Sequence, residues 1–91
     1  MMVVFHAKAP NFGRSDPDFP EEYEKVATVD TNDIEIAYMQ TNNITQSWVK
    51  NKDVTAFVTE ARSTSVGDVV LDNEGRLHRC SNMGWEEIEK S

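Results

Sequence analysis

The stretch "TNDIEIAYMQTNNI" (31–44) decides what kind of fold this chain takes. Its neighbours alternate apolar and polar residues with the two-residue period of strands, and it does not. Ile34, Ala37, Tyr38 and Thr41 fall at i, i+3, i+4 and i+7, which is one face of an α-helix. Asp30 or Thr31 suits the capping position at its start, and Asp33 and Glu35 suit the positive end of the helix dipole. Asn42-Asn43 then offers left-handed conformations that end helices. The spacing predicts a helix of about three turns.

Outward from the helix, both flanks read as strands. "MVVFHAK" (2–8) is a β-branched and aromatic run. "YEKVATVD" (23–30) alternates, with Tyr23, Lys25, Ala27 and Val29 on one face, and is expected to pair antiparallel with the first run. Between them, residues 9–22 hold all three prolines together with Gly13 and several acids, the composition of a long loop. Beyond the helix, Asn51-Lys52-Asp53 reads as a turn and "VTAFVTE" (54–60) as a weak strand. "DVVLD" (68–72) and "RLHRCS" (76–81) flank Asn73-Glu74-Gly75, a hairpin whose glycine takes the positive φ that the turn requires. Met83-Gly84-Trp85 turns once more into "WEEIE" (85–89). The expected fold class is α+β: one helix packed on a small curved antiparallel sheet ending in a β-meander. Ninety-one residues make one domain, 1–91, with the acidic loop at about 9–22.

An apolar fraction of 38% is low for a globular chain but enough for a core. No apolar run approaches the length of a membrane span, and "MMVVFHAKAP" has no basic leader, so neither membrane insertion nor secretion is expected. A single cysteine, Cys80, excludes an internal disulfide framework and fits a reducing cytoplasm. Net charge is −7, and residues 15–35 hold eight acids against Lys25 alone. A duplex-binding protein needs a basic stripe to displace counterions from phosphates. No such stripe exists here, so direct nucleic-acid binding is not expected.

"RSTSVGDVV" (62–70) gathers three hydroxyls, a Gly-Asp pair and an apolar run, as an active site might. A catalytic Ser or Thr needs a base in reach, and a triad of Ser63 or Ser65 with His78 and Asp68 can be drawn. No nucleophile-elbow glycines surround either serine, and no helix follows to supply an oxyanion hole. The better reading is structural: hydroxyls satisfy a turning backbone, Gly67 bends it, and Val69-Val70-Leu71 runs into the core. His78 and Cys80 share a strand face, yet structural zinc wants spaced ligand pairs, which are missing. No catalytic residue, metal or cofactor is expected. The residues expected to contact a partner are Asp16, Asp18, Phe19, Glu21, Glu22 and Glu24 of the acidic segment, together with Trp48 in its polar setting "TQSWVKNK".

The C-terminal half resembles a known pattern. Ser63-Thr64-Ser65-Val66-Gly67-Asp68-Val69-Val70, the hairpin after it and the ending Gly84-Trp85-Glu86-Glu87-Ile88 are similar to the closing motif of YodL-like domains, in which Phe is common where this chain has Trp85. "IEIAYMQTNNI" (34–44) followed by Trp48 is similar to the helix and loop before that motif. The resemblance covers about 33–88. It carries over no catalytic residue. It implies a small accessory protein of a phage, plasmid or other mobile element, in the host cytoplasm, acting by binding a host or defence component.

The expectation is therefore a non-enzymatic binding protein whose acidic surface meets a basic surface on a host protein. The alternative is a structural or virion component that self-associates through exposed strand edges. A metal or catalytic protein built on His6, His78 and Cys80 comes third.

Overall fold

In a computed structural model of the chain, residues 1–8, 21, 23–42, 47–59, 61–81 and 84–88 are described. Six strands form one antiparallel sheet: β1 (Met2–Ala7), β2 (Tyr23–Val29), β3 (Val54–Ala56), β4 (Val69–Leu71), β5 (Leu77–Ser81) and β6 (Gly84–Ile88). Their order across the sheet is β3-β2-β1-β4-β5-β6. Two meander halves, β1-β2-β3 and β4-β5-β6, meet where their first strands pair, Val3 to Leu71 and Phe5 to Val69.

This corrects the expected fold class. The chain is a small β-rich fold with one short helix, not a balanced α+β fold. The helix, α1 (Ile34–Gln40), has two turns rather than three. Its N-cap is Asp33, whose carboxylate accepts from the Glu35 amide at 2.9 Å, so the helix starts later than a cap at Asp30 or Thr31 would start it. It also ends earlier. The Thr41 hydroxyl donates back to the Ala37 carbonyl at 2.9 Å, and the Asn42 side-chain amide donates to the Tyr38 carbonyl, so side chains close the last turn. Asn42 takes no left-handed conformation, and Asn43 lies outside the described residues.

The sheet buries both faces unequally. Met2, Val4 and His6 alternate onto one face of β1, where Val70, Ala27 and Val29 join them beneath α1 and Trp48. Phe5 and Ala7 point to the other face and pack with Tyr23, Val69, Leu77, Leu71 and Ile88. A register shift between Val4 and Phe5 inserts Val26 as an extra residue in β2. That bulge moves Tyr23 and Lys25 to the face opposite Ala27 and Val29, so the four do not share one face as strict alternation predicts. The weak strand expected at 54–60 pairs only over Val54–Ala56, while Gly75 at φ 85° makes the β4–β5 turn as expected.

From β3, at one edge, the chain must return to β4, beside the central strand. The segment from Phe57 to Asp68 makes that crossing over the face that carries α1, with Val58 and Ala61 packed on the core. The "RSTSVGD" motif is the end of this strap.

Candidate functional site

Everything polar that the described core contains converges on the strap. Asp68 is fully buried, and its carboxylate receives Arg62 through both guanidinium nitrogens, at 2.6 and 2.8 Å. It also accepts the backbone amides of Ala7 at 2.9 Å and of Ser65 at 2.8 Å. Four donors on one carboxylate offset the cost of burying its charge. The same interactions tie the strap to the end of β1, because Arg62 also donates to the Ala7 carbonyl at 3.2 Å. Gly67, at φ 97°, turns the chain so that the Asp68 backbone can pair with Cys80 of β5, and the Tyr23 hydroxyl donates to the Gly67 carbonyl.

A second chain of bonds runs inward from His6. Thr41 gives its hydroxyl proton to the Ala37 carbonyl, so it accepts from Thr64, at 2.7 Å. Thr64 has then spent its only proton and accepts from His6 Nε2, at 2.8 Å. His6 is therefore the Nε2-protonated neutral tautomer. Burial pushes its pKa down from 6.5 to about 4; Asp68, 3.9 Å away, opposes this and Arg62 adds to it. Trp48 stands edge-on to the imidazole with centroids 6.0 Å apart, and its indole N–H donates to the Arg62 carbonyl at 2.8 Å. The hydrogen bond to Asp68 raises the Arg62 pKa further above its ordinary value.

A hydroxyl, an imidazole and a carboxylate thus do come together, but they are Thr64, His6 and Asp68. The sequence-drawn set of Ser63 or Ser65 with His78 does not assemble. His78 instead pairs with Asp72 at 2.7 Å, a bond that holds the Asp72 carboxyl down to about 2. Ser65 contributes its amide to Asp68 and accepts from Arg62 at 3.2 Å. Thr64 is 1% exposed, His6 4% and Asp68 0%, so no substrate atom reaches the Thr64 oxygen in this conformation. Cys80 is buried on the same side of the sheet, and burial raises its thiol pKa, away from the thiolate a nucleophile needs. The arrangement can clamp a loop. Among the described residues, no three His, Cys, Asp or Glu side chains gather as metal ligands.

Of the residues expected to contact a partner, Glu21, Glu24 and Trp48 are described. Glu21 is exposed beside β2, where its carbonyl accepts from Lys8 at 3.3 Å. Glu24 is exposed on β2, across from His6 in the register. Asp16, Asp18, Phe19 and Glu22 lie outside the described residues. Trp48 is a correction: it is fully buried, in a 3-10 turn over Trp48–Lys50, and offers a partner no surface. Its polar sequence neighbours suggested exposure, yet an indole with an internal carbonyl to bond can close a small core.

Sequence reasoning missed the His6–Thr64–Thr41 chain. One signal was present: His6 alternates with Met2 and Val4, which places an imidazole on the inward face of β1, where it must find a partner. The large apolar side chains exposed among the described residues are Met1, Val66, Ile36 and Met39 of α1, and Phe57 under the Lys25 ammonium at 5.2 Å. No helix is long and apolar enough to cross a membrane among the described residues. No family model, curated protein or solved structure matches the chain.

Proposed function

We propose that this is a non-enzymatic accessory protein of phage or mobile-element origin that binds a host or defence protein through an acidic surface and modulates or inhibits it. The observation that carries the proposal is the placement of charge. Glu21, Glu24, Asp30, Asp33 and Glu35 are all exposed, in a segment where eight acids face Lys25 alone. Such a surface steers association toward a basic patch and makes it salt-sensitive. The origin, and with it a place in the host cytoplasm, rests on the resemblance of 33–88 to YodL-like domains. What speaks for a role without catalysis is the sealing of Thr64, His6 and Asp68 inside the strap clamp.

The test is a tagged pull-down from host lysate at low and at high salt, with eluates identified by mass spectrometry. The expected result is one host protein at near-equal stoichiometry that is lost as salt rises. Combined alanine changes at Asp16, Asp18, Glu21 and Glu22 should weaken its capture. Recovery of the protein only as its own oligomer, at either salt, would overturn the proposal in favour of the self-associating structural component.

A further inference from the structure

Helix α1 is apolar around more of its circumference than the fold covers. Its seven residues, IEIAYMQ, place Ala37 fully buried on the core, with Ile34 packed beside it. Tyr38 stands edge-on to Trp85 of β6, with ring centroids 6.0 Å apart. Ile36 and Met39 remain 42% and 56% exposed, three positions apart and so on one stripe of the helix. A helix that is apolar on nearly all sides is ordinarily covered on more than one of them.

The surrounding charge limits what the cover can be. Asp30, Asp33 and Glu35 are exposed at the leading end of the helix, and no Lys or Arg occurs between Lys25 and Lys50. The Trp85 indole donates to Glu35 at 2.9 Å and so brings β6, with exposed Glu87 on the same face as Trp85, alongside. A second copy docking about a two-fold axis would set these acids against their own images. An anionic membrane surface would be repelled. A cationic partner would be attracted by the acids at the leading end of the helix and on β6.

We infer that the Ile36–Met39 stripe is the docking surface for a cationic amphipathic segment of a partner protein, whose apolar side chains cover Ile36 and Met39 while its Lys and Arg meet the bordering acids. This rests on the acidic-binding reading above and adds to it an apolar anchor. Methionine suits that role, because its unbranched thioether adapts to the shape it meets.

The probe is a fluorescein-labelled synthetic helix of about 18 residues, five turns, with Leu on one face and Lys on the other. Its Leu/Glu counterpart and phosphatidylserine vesicles serve as competitors for the assignment. Wild type should bind the Leu/Lys peptide in fluorescence anisotropy and neither of the others. Ile36→Ser with Met39→Ser should bind at least about tenfold more weakly, with an unchanged circular dichroism spectrum, since both side chains are exposed. Glu35→Gln, which keeps an acceptor for Trp85, should weaken binding several-fold. Equal binding by the double serine variant, abolished by salt, would overturn the apolar anchor and leave the acidic reading standing. Absence of binding by wild type at low salt would overturn both. Comparable binding of the Leu/Glu peptide or the vesicles would overturn the cationic assignment. Concentration-dependent mass that disappears in the serine variant would give the stripe to a second copy instead.

Discussion

Asp68 is the buried acceptor on which the strap's hydrogen bonds converge, and its neighbours depend on it asymmetrically. Replacing one carboxylate oxygen by an amide nitrogen sets a donor against Arg62, which keeps its bonds to Ser63, Ser65 and Ala7, and leaves the Ala7 and Ser65 amides competing for one oxygen. Breaking a buried pair from one side typically costs about 3–5 kcal/mol. The Arg62 side chain is 46% exposed and can turn to water, so Asp68→Asn should fall at the lower end, about 3 kcal/mol in urea unfolding. A loss below about 1 kcal/mol, the worth of an exposed pair, would mean that the clamp is not structural. His6 gives a separate signature. Folded, it binds a proton near pH 4; unfolded, near 6.5, so between those values the unfolded state holds more protons. Its contribution to stability is complete above pH 6.5 and is lost as pH falls toward 4, by about 3 kcal/mol in all. His6→Gln, which keeps an N–H for Thr64, should flatten that part of the stability–pH curve relative to wild type. Parallel curves for the two proteins between pH 4 and 7 would place the imidazole in water. The Asp72–His78 pair is common to both proteins and so cancels from the comparison. These bonds were half legible beforehand. The motif's structural role followed from its hydroxyls and Gly67, but its partners come from positions more than twenty and fifty residues away, Thr41 and His6, which no local pattern links.

At the scale of elements, the strands were legible because β-branched runs, alternation and turn residues are local signals, and β1, β2, β4 and β5 lie close to where these put them, while 85–89, read as a short strand or a single turn, forms β6. What failed were lengths and faces. The apolar spacing of 34–41 fits three turns, but Thr41 and Asn42 bond back to helix carbonyls and stop it after two. The bulge at Val26 is invisible to a period-two reading, since it appears only once β1 sets the register. So short a helix leans on its cap. Asp33→Ala removes the bond to the Glu35 amide and should cost about 1 kcal/mol, whereas Asp33→Ser, which keeps a capping oxygen, should cost a few tenths. Thermal melts of the two variants check this. Equal losses would mean that the charge of Asp33 matters rather than its cap geometry.

At the scale of the molecule, joining two three-stranded halves through β1 and β4 puts β3 and β6 at the edges of the sheet that the described residues form. The edges differ in how they resist pairing with another chain. β3 is three residues long and too short to template a stable ladder. β6 is five residues long and relies on charge, since Glu86 and Glu87 stand on opposite faces of the strand and each would meet a like charge in an antiparallel self-pairing. Glu87, on the face that carries α1, therefore both borders the helix stripe and guards this edge, while Glu86 guards it from the other face. Replacing both, Glu86→Thr with Glu87→Thr, raises β propensity while stripping the charge, and takes away the carboxylates that stand across from Arg79 and His78 in the β5–β6 ladder. The variant should stay folded and gain mass with concentration in light scattering, where wild type stays flat. The gain should shrink at low salt if the remaining net charge opposes association. A wild type whose mass climbs as steeply as the variant's would show that the acids do not protect β6. The chain's charge would then serve self-assembly rather than a basic partner.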